Sequence, residues 1–239
     1  MTYEKRTNGR GFDQIRPASA KVGIIPNAIG SAVFTIGETT AYAAVYGPKD
    51  LFPKFQQNPK TAKLRCHYNM LPFSGAGDRV RPGPNRRSKE ISMVTDHSLI
   101  PVLDLTDFPN AVVDVFIELS QTDAGSRCAG ITAASMALAD AGFIMKDLVC
   151  AVALGKVGDK IVVDLDKYEE DYDGGHVADV PIAVIPSTGE FSLIQMDGII
   201  TRDDLKEILE MSKAAVQQLH DLQKKALKDK YNDESGDKK

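Results

Sequence analysis

Between Ser126 and Gly142 the chain reads SRCAGITAASMALADAG, and this stretch constrains the fold more than any other. It is rich in alanine, the best helix former. Its small residues Ala129, Gly130, Ala133, Ala134 and Ala137 would let a helix lie unusually close to a sheet. Gly142 then supplies a C-terminal stop. The rest of the chain must therefore provide strands for this helix to cover.

Those strands are legible from alternation and turn residues. Residues 31–47 (SAVFTIGETTAYAAVYG) read as a hairpin turning at Gly37-Glu38. Val113, Val115, Ile117 and Leu119 alternate with Asp114, Phe116, Glu118 and Ser120, the period of a half-buried strand. Residues 149–165 form a second hairpin around Val157-Gly158-Asp159, and residues 182–196 a third around Ser187-Thr188-Gly189-Glu190. A weaker helix is expected from Ser88 to Leu99, ahead of Pro101. Thr201 and Asp204 form a capping-box pattern, followed at helical spacing by Leu205, Ile208, Leu209, Ala215, Val216, Leu219 and Leu222. Hairpins interspersed with helices indicate an α+β fold rather than a doubly wound parallel sheet. We expect one domain over residues 1–228 and a charged, frayed tail over 229–239.

Composition excludes several classes. The 239 residues are 43% hydrophobic, enough for a sizeable core, and the net charge of −4 provides no overall attraction to nucleic acid. Cys66, Cys128 and Cys150 are far apart and form no CxxC, so neither a disulfide framework nor a zinc ribbon is expected. The opening MTYEKRTNGRGFDQIRP lacks the apolar segment of a secretory leader, and no apolar run is long enough for a membrane span. A cytosolic protein is expected. Charge is nevertheless segregated. Residues 79–89 carry five basic groups and no acid, whereas residues 164–179 carry seven acids and one lysine. The pair reads either as two solvated loops or as an anion site facing an acid–base or metal site.

QTDAGSR, at 121–127, is where the second reading is to be weighed. A helix start leaves backbone N–H groups without partners, Gly125 permits close approach, Ser126 adds a hydroxyl and Arg127 a planar charged fork. Together they suit a phosphate-sized anion, although Ser126 would serve equally as an ordinary cap. Arg86 and Arg87, in the Pro/Gly-rich loop RPGPNRRSKE, suit phosphodiester oxygens or simple solvation. Asp179 ends the acidic segment ahead of the apolar VPIAVI, where a carboxylate could hold Mg2+ or protonate a leaving oxygen. Asp171 and Asp173 lie shortly before it. His67 in LRCHYNM reads as bordering a surface, and His176 has no assignment. No nucleophile elbow, Walker A or HExxH pattern occurs.

Taken in order, TNGRGFDQIRP, GSAVFTIGETTAYAAVYGP, YNMLPFS, NRRSKEI, QTDAGSR, ALADAG, DLVCAVALG and ADVPIAVIP resemble the RNase PH family from about Asn8 to Lys228. AVYGP, YNMLPFS, ADVPIA and LIQMDG are most similar to the catalytic RNase PH-like subunits of archaeal exosomes. The resemblance implies a ribosomal protein S5 domain 2-like (RNase PH) fold, a mixed sheet packed with helices. It implies a phosphate-dependent 3′-to-5′ exoribonuclease acting on single-stranded RNA, with inorganic phosphate as co-substrate and Mg2+ as cofactor. The partners implied are an inactive RNase PH-like homologue in a hexameric ring and RNA-binding cap subunits, with no membrane. By position, Gly125, Ser126 and Arg127 correspond to the phosphate site, and Arg86 and Arg87 to arginines near the terminal RNA phosphates. Arg65 and Lys54, more loosely, correspond to basic residues along the RNA path. Asp179 corresponds to the second catalytic aspartate and a metal ligand. For the first, the family's six-residue spacing selects Asp173, also as metal ligand, while the local EED selects Asp171; both stay open, with spacing favouring Asp173. NRRSKE departs from the family, which usually has an acid directly after the arginines.

Overall fold

In a computed structural model, residues 3–6, 8–77 and 79–236 are described, with side chains as far as residue 232. The strands are β1 (Ala18–Val22), β2 (Gly30–Ile36), β3 (Thr39–Asp50), β4 (Lys63–Met70), β5 (Leu103–Asp104), β6 (Ala111–Gln121), β7 (Ile144–Met145), β8 (Cys150–Val157), β9 (Lys160–Val163), β10 (Val177–Ile185) and β11 (Glu190–Ile194). The helices are α1 (Arg86–Leu99), α2 (Ser126–Asp140), α3 (Lys167–Glu170) and α4 (Arg202–Gly236).

Two larger sheets result. One has the order β1-β2-β3-β6-β4, antiparallel except that β4 runs parallel to β6, and the other has the antiparallel order β11-β10-β8-β9. The three expected hairpins are β2–β3, β8–β9 and β10–β11. The fold is therefore α+β with one mixed sheet, as the strand pattern required.

The small-residue helix α2 lies between these sheets, touching β2, β3 and β6 of the first and β8 and β10 of the second. All its residues except Arg127 and Ala139 are buried, so it is apolar all round rather than amphipathic. The close approach is visible at Gly30 in β2. A Cβ there would lie 2.3 Å from the backbone N of Ala141 and 2.4 Å from the carbonyl of Ala137. Replacing Gly30 by any other residue would thus push the helix off its sheet. Fully burying Ile131, Met136 and Leu138 contributes on the order of 1.5–3 kcal/mol each.

The Thr201–Asp204 box forms as expected, with Thr201 N donating to Asp204 Oδ2 at 2.9 Å and Asp204 N to Thr201 Oγ1 at 3.2 Å. Buried Gln223 then pins α4 to the core. Its Nε2 donates to the carbonyls of Thr132 and Val149, and its Oε1 accepts from the Cys150 thiol at 2.8 Å. All three cysteines are buried free thiols. Among the described residues no helix is long and apolar enough to cross a membrane.

Four expectations change. α4 continues through Gly236, so the segment expected as a frayed tail is helical to that point; residues 237–239 lie outside the described residues. α1 begins at Arg86, capped by Asn85, so both arginines belong to a helix's first turn rather than to the preceding loop. β10 begins at Val177, which places Asp179 inside a strand and opposite Gly155 rather than ahead of it. Asp114, assigned by alternation to the solvent face of β6, is 1% exposed. Arg65 donates to it twice, at 2.6 and 3.0 Å, and Lys49 Nζ lies 2.6 Å away. Burial alone would raise the Asp114 carboxyl, but these two cations outweigh it and hold it below the usual carboxylate range.

Candidate active site

The head of α2 opens onto a cavity of about 330 Å³ lined by Gly125, Ser126, Tyr68, Gly75, Arg87, Lys167 and Glu170 among others. Gly125 is the N-cap and adopts φ +62°, a left-handed geometry that glycine takes without penalty. It has no side chain with which to cap the helix, so the first-turn amides receive no side-chain partner. Ser126 is buried, and its Oγ accepts the hydroxyl proton of Tyr68 at 2.9 Å. That bond leaves the Ser126 proton free to donate to a ligand. Burial raises the Tyr68 hydroxyl above its ordinary pKa, so it stays a donor.

The loop feeding this helix is fixed from several sides. Asp123 N donates to Thr39 Oγ1 at 2.8 Å, and Thr39 Oγ1 donates to the carbonyl of Ala124 at 2.8 Å. Thr122 N donates to the Ser74 carbonyl at 2.8 Å. The cradle is therefore preorganised, as an anion site must be for its dipoles to act without rearrangement.

A second cavity, of about 550 Å³, shares Arg87, Lys167 and Glu170 with the first and adds Arg127, Asp171, Asp179, Glu90, Gln195 and Asp197. Arg127 Nη1 donates to Gln195 Oε1 at 2.5 Å, Gln195 Nε2 donates to Glu90 Oε1 at 2.9 Å, and Glu90 lies 3.8 Å from Arg127. The guanidinium is thus parked beside the cavity by two residues of other elements. Asp179 faces it from β10, where its backbone exchanges two 2.8 Å hydrogen bonds with Asp197. Its Oδ1 is buried without a partner. Burial above all, then the Glu170 carboxylate and Asp197, push the Asp179 carboxyl up to about 6 against the pull of Arg127 and Arg87. Burial likewise raises Glu170, which Lys167 and Arg87 partly offset. A partly buried carboxyl raised to about 6 is poised to hold and release a proton.

The structure sorts the candidate residues. It brings Gly125, Ser126, Arg127, Arg87, Asp171 and Asp179 around two adjoining cavities. Asp171 closes α3 and pairs with Lys167 at 2.7 Å. Asp173, favoured on spacing, is exposed and lines none of these walls; the turn after α3 carries it past the site. Arg86 is exposed and also lines neither cavity, because successive residues on a helix face different directions. Arg65 stands on β4 bound to Asp114, and Lys54 is exposed in a short 3-10 turn, both outside the cavities. The sequence reading missed Tyr68, Glu90, Lys167, Glu170 and Gln195. Only Glu90 had a signal: the acid that does not directly follow the arginines stands one helical turn beyond Arg87 and faces Arg127. Among the described residues no three His, Cys, Asp or Glu side chains cluster as metal ligands.

Residues 14–143 match domain 1 of a 3′ exoribonuclease family (RNase PH), and residues 147–215 match domain 2. The chain is 48% identical over 227 residues to the exosome complex component Rrp41 of Thermococcus kodakarensis, covering 95% of this chain and 90% of that one. It is 45% identical over 226 residues to Rrp41 of Methanopyrus kandleri, covering 95% and 93%. The crystal structure of rice (Oryza sativa) Rrp46 superimposes with a TM-score of 0.82 at 25% identity, over 93% of this chain and 100% of that one. A chain of the Archaeoglobus fulgidus exosome with RNA bound to the active site gives 0.76 at 23%, over 91% and 92%, and so shares the fold.

Proposed function

The chain belongs to the 3′ exoribonuclease (RNase PH) family, and from that premise we propose that it is a phosphorolytic 3′-to-5′ exoribonuclease subunit of an exosome. Its substrates are the 3′ end of single-stranded RNA and inorganic phosphate. The observation that carries this reading is the pairing of a preorganised anion cradle at Gly125–Arg127 with Asp179, which has one buried oxygen without a partner and a carboxyl raised to about 6 across the adjoining cavity.

Each group then has a task. The first-turn amides of α2, the Ser126 hydroxyl and Arg127 receive the phosphate, and Arg87, common to both cavities, holds the terminal RNA phosphate. Bringing two anions together is the main barrier, so positioning and charge neutralisation dominate. A phosphate oxygen attacks the terminal phosphorus, the bond from phosphorus to O3′ breaks, and the departing O3′ takes the proton of Asp179. The products are a nucleoside diphosphate and an RNA one nucleotide shorter with a free 3′ hydroxyl. Reversal, with Asp179 as the base, adds nucleotides. No protein nucleophile is required.

Mg2+ fits the hard oxygen donors present. It takes one or two carboxylates and completes its shell with water and phosphate oxygens. Asp171 and Glu170, beside Asp179 in the second cavity, would hold it, in place of the Asp173 expected from spacing. When bound, the ion supplies charge neutralisation for the phosphates. The chain works with an RNase PH-like partner in a ring, capped by RNA-binding subunits.

The test is product identity. The protein, with its partner subunits, is incubated with a labelled oligoadenylate with and without inorganic phosphate. Phosphate-dependent nucleoside diphosphate is expected; nucleoside monophosphate formed without phosphate would mean hydrolysis and end the proposal.

A further inference from the structure

The N-terminal NGRGFDQIRP, residues 8–17, has no part in the reaction just described, yet its Arg16 lies against both halves of the site. Arg16, 4% exposed, forks between them. Its backbone N and Nε donate to Asp164 Oδ2 at 2.7 and 2.9 Å, and its Nη2 to Asp164 Oδ1 at 2.7 Å. Its Nη1 donates to the Asp123 carbonyl and, at 3.1 Å, to Asp123 Oδ2. Asp123 is two residues before Gly125. Asp164 opens the acidic segment, two residues before Asp166, whose side chain caps α3 at Glu169 N, 3.0 Å away. α3 in turn presents Glu170 to both cavities and ends at Asp171.

We infer that Arg16 is a positioning residue, its one guanidinium setting the spacing between the anion cradle and the acid-bearing segment; this rests on the phosphorolytic reading. Three further contacts agree with it. Nη2 lies 3.5 Å from where a Cβ of Gly125 would stand, so the charge sits directly behind the cradle. Lys167 N donates to Asp123 Oδ1 at 3.1 Å, a second tie between the same segments. Arg6, fully buried, clamps Glu169 with two 2.7 Å bonds and steadies α3 from the far side. Both Asp164 and Ala124 adopt left-handed backbone, φ +57° each, which non-glycine residues hold only where the surroundings impose it. A lysine could keep the charge at position 16 but cannot fork to two carboxylates.

Two variants and two readouts test this. Arg16→Lys keeps charge and loses the fork. Asp123→Ala removes the carboxylate that Arg16 and Lys167 N share, and leaves the Asp123 carbonyl contact and the buried Arg16–Asp164 pair to maintain the fold. Calorimetric titration of the purified protein with inorganic phosphate should show affinity weakened about tenfold in Asp123→Ala, the range for a lost charged hydrogen bond. Turnover by the assembled protein at saturating RNA should fall on the order of 10²-fold in Arg16→Lys, as misplacement by about 1 Å does, with RNA affinity unchanged. The double variant should bind phosphate no more weakly than the worse single one, since both cut the same tie. Phosphate affinity within about twofold of wild type in both single variants, whatever their melting temperatures, would overturn the inference. A wild type that binds phosphate but releases no nucleoside diphosphate would sink the phosphorolytic reading instead, and the phosphate affinities would still decide the role of Arg16.

Discussion

The anion cradle at the head of α2 and the acid wall formed by α3 and β10 face the same space but are built differently. The cradle uses backbone amides, one hydroxyl and one guanidinium, each held by a neighbour: Tyr68 on Ser126, Gln195 on Arg127, Thr39 on the loop. The acid wall gathers Glu170, Asp171 and Asp179, and leaves an Asp179 oxygen buried without a partner. The side chains and loop of the cradle are held by partners, and only its first-turn amides lack a side-chain cap. The wall stores unfavourable burial, which suits the proton-donor role proposed for Asp179. Variants in the two regions should therefore differ in kind: a wall variant can gain stability while losing turnover, whereas a cradle variant loses phosphate affinity.

The largest effect expected is on Asp179→Ala. Turnover should fall by about 10²–10⁴-fold, the contribution of general acid catalysis, with RNA binding retained. Turnover within about threefold of wild type would remove the proton-donor role and leave the wall without a function.

Next is the stability of Asp179→Asn. The folded protein holds the Asp179 proton up to about pH 6, the unfolded chain only to about 3.8, so the stability present below the lower value is lost as pH rises through the higher one. Denaturant titration should find the permanently neutral variant more stable than wild type above about pH 6, by at most about 3 kcal/mol, with the gain vanishing toward pH 4. A variant less stable than wild type at every pH would show that the wall carries no such burden.

Arg127→Ala should raise the phosphate requirement by about 10- to 100-fold, the worth of a charge-assisted contact, with a smaller change in RNA affinity. Steady-state kinetics against phosphate concentration measures this, and an unchanged requirement would separate Arg127 from the cradle.

The smallest contrast is within the acidic segment. Asp171→Asn should raise the Mg2+ requirement on the order of tenfold, and Asp173→Asn should not. Equal responses would mean that the placement of Asp171 in the cavity has no bearing on the cation.

The same contrast explains what could be read in advance. The cradle is local: Gly125, Ser126 and Arg127 are consecutive, the helix start is signalled by composition, and the small residues of α2 announce its close packing. The hairpins at Gly37, Gly158 and Gly189 are likewise local, and each turn glycine does adopt positive φ. The wall is not local. Which of Asp171 and Asp173 lines the cavity depends on how the chain leaves α3, and spacing along the sequence carries no information about that turn. Burial of Asp114 depended on Arg65 and Lys49 arriving from other strands, and alternation within β6 could not foresee it. Nothing in the sequence singled out Arg16 or Arg6, because their carboxylate partners lie far along the chain. Long-range ion pairs have no signature in a single sequence, whereas caps, turns and periodicity do.

The central claim is that orthophosphate sits on the first amides of α2 with Asp179 facing the oxygen that departs. A crystal structure of the protein with its ring partner, inorganic phosphate and a non-cleavable RNA 3′ end tests it most directly. The account predicts phosphate bonded to the amides and side chains of Ser126 and Arg127, with Arg127 released from Gln195 and the Asp179 carboxyl within hydrogen-bonding distance of O3′. A vacant cradle, with Arg127 still bound to Gln195 and Asp179 turned from the RNA end, would contradict it.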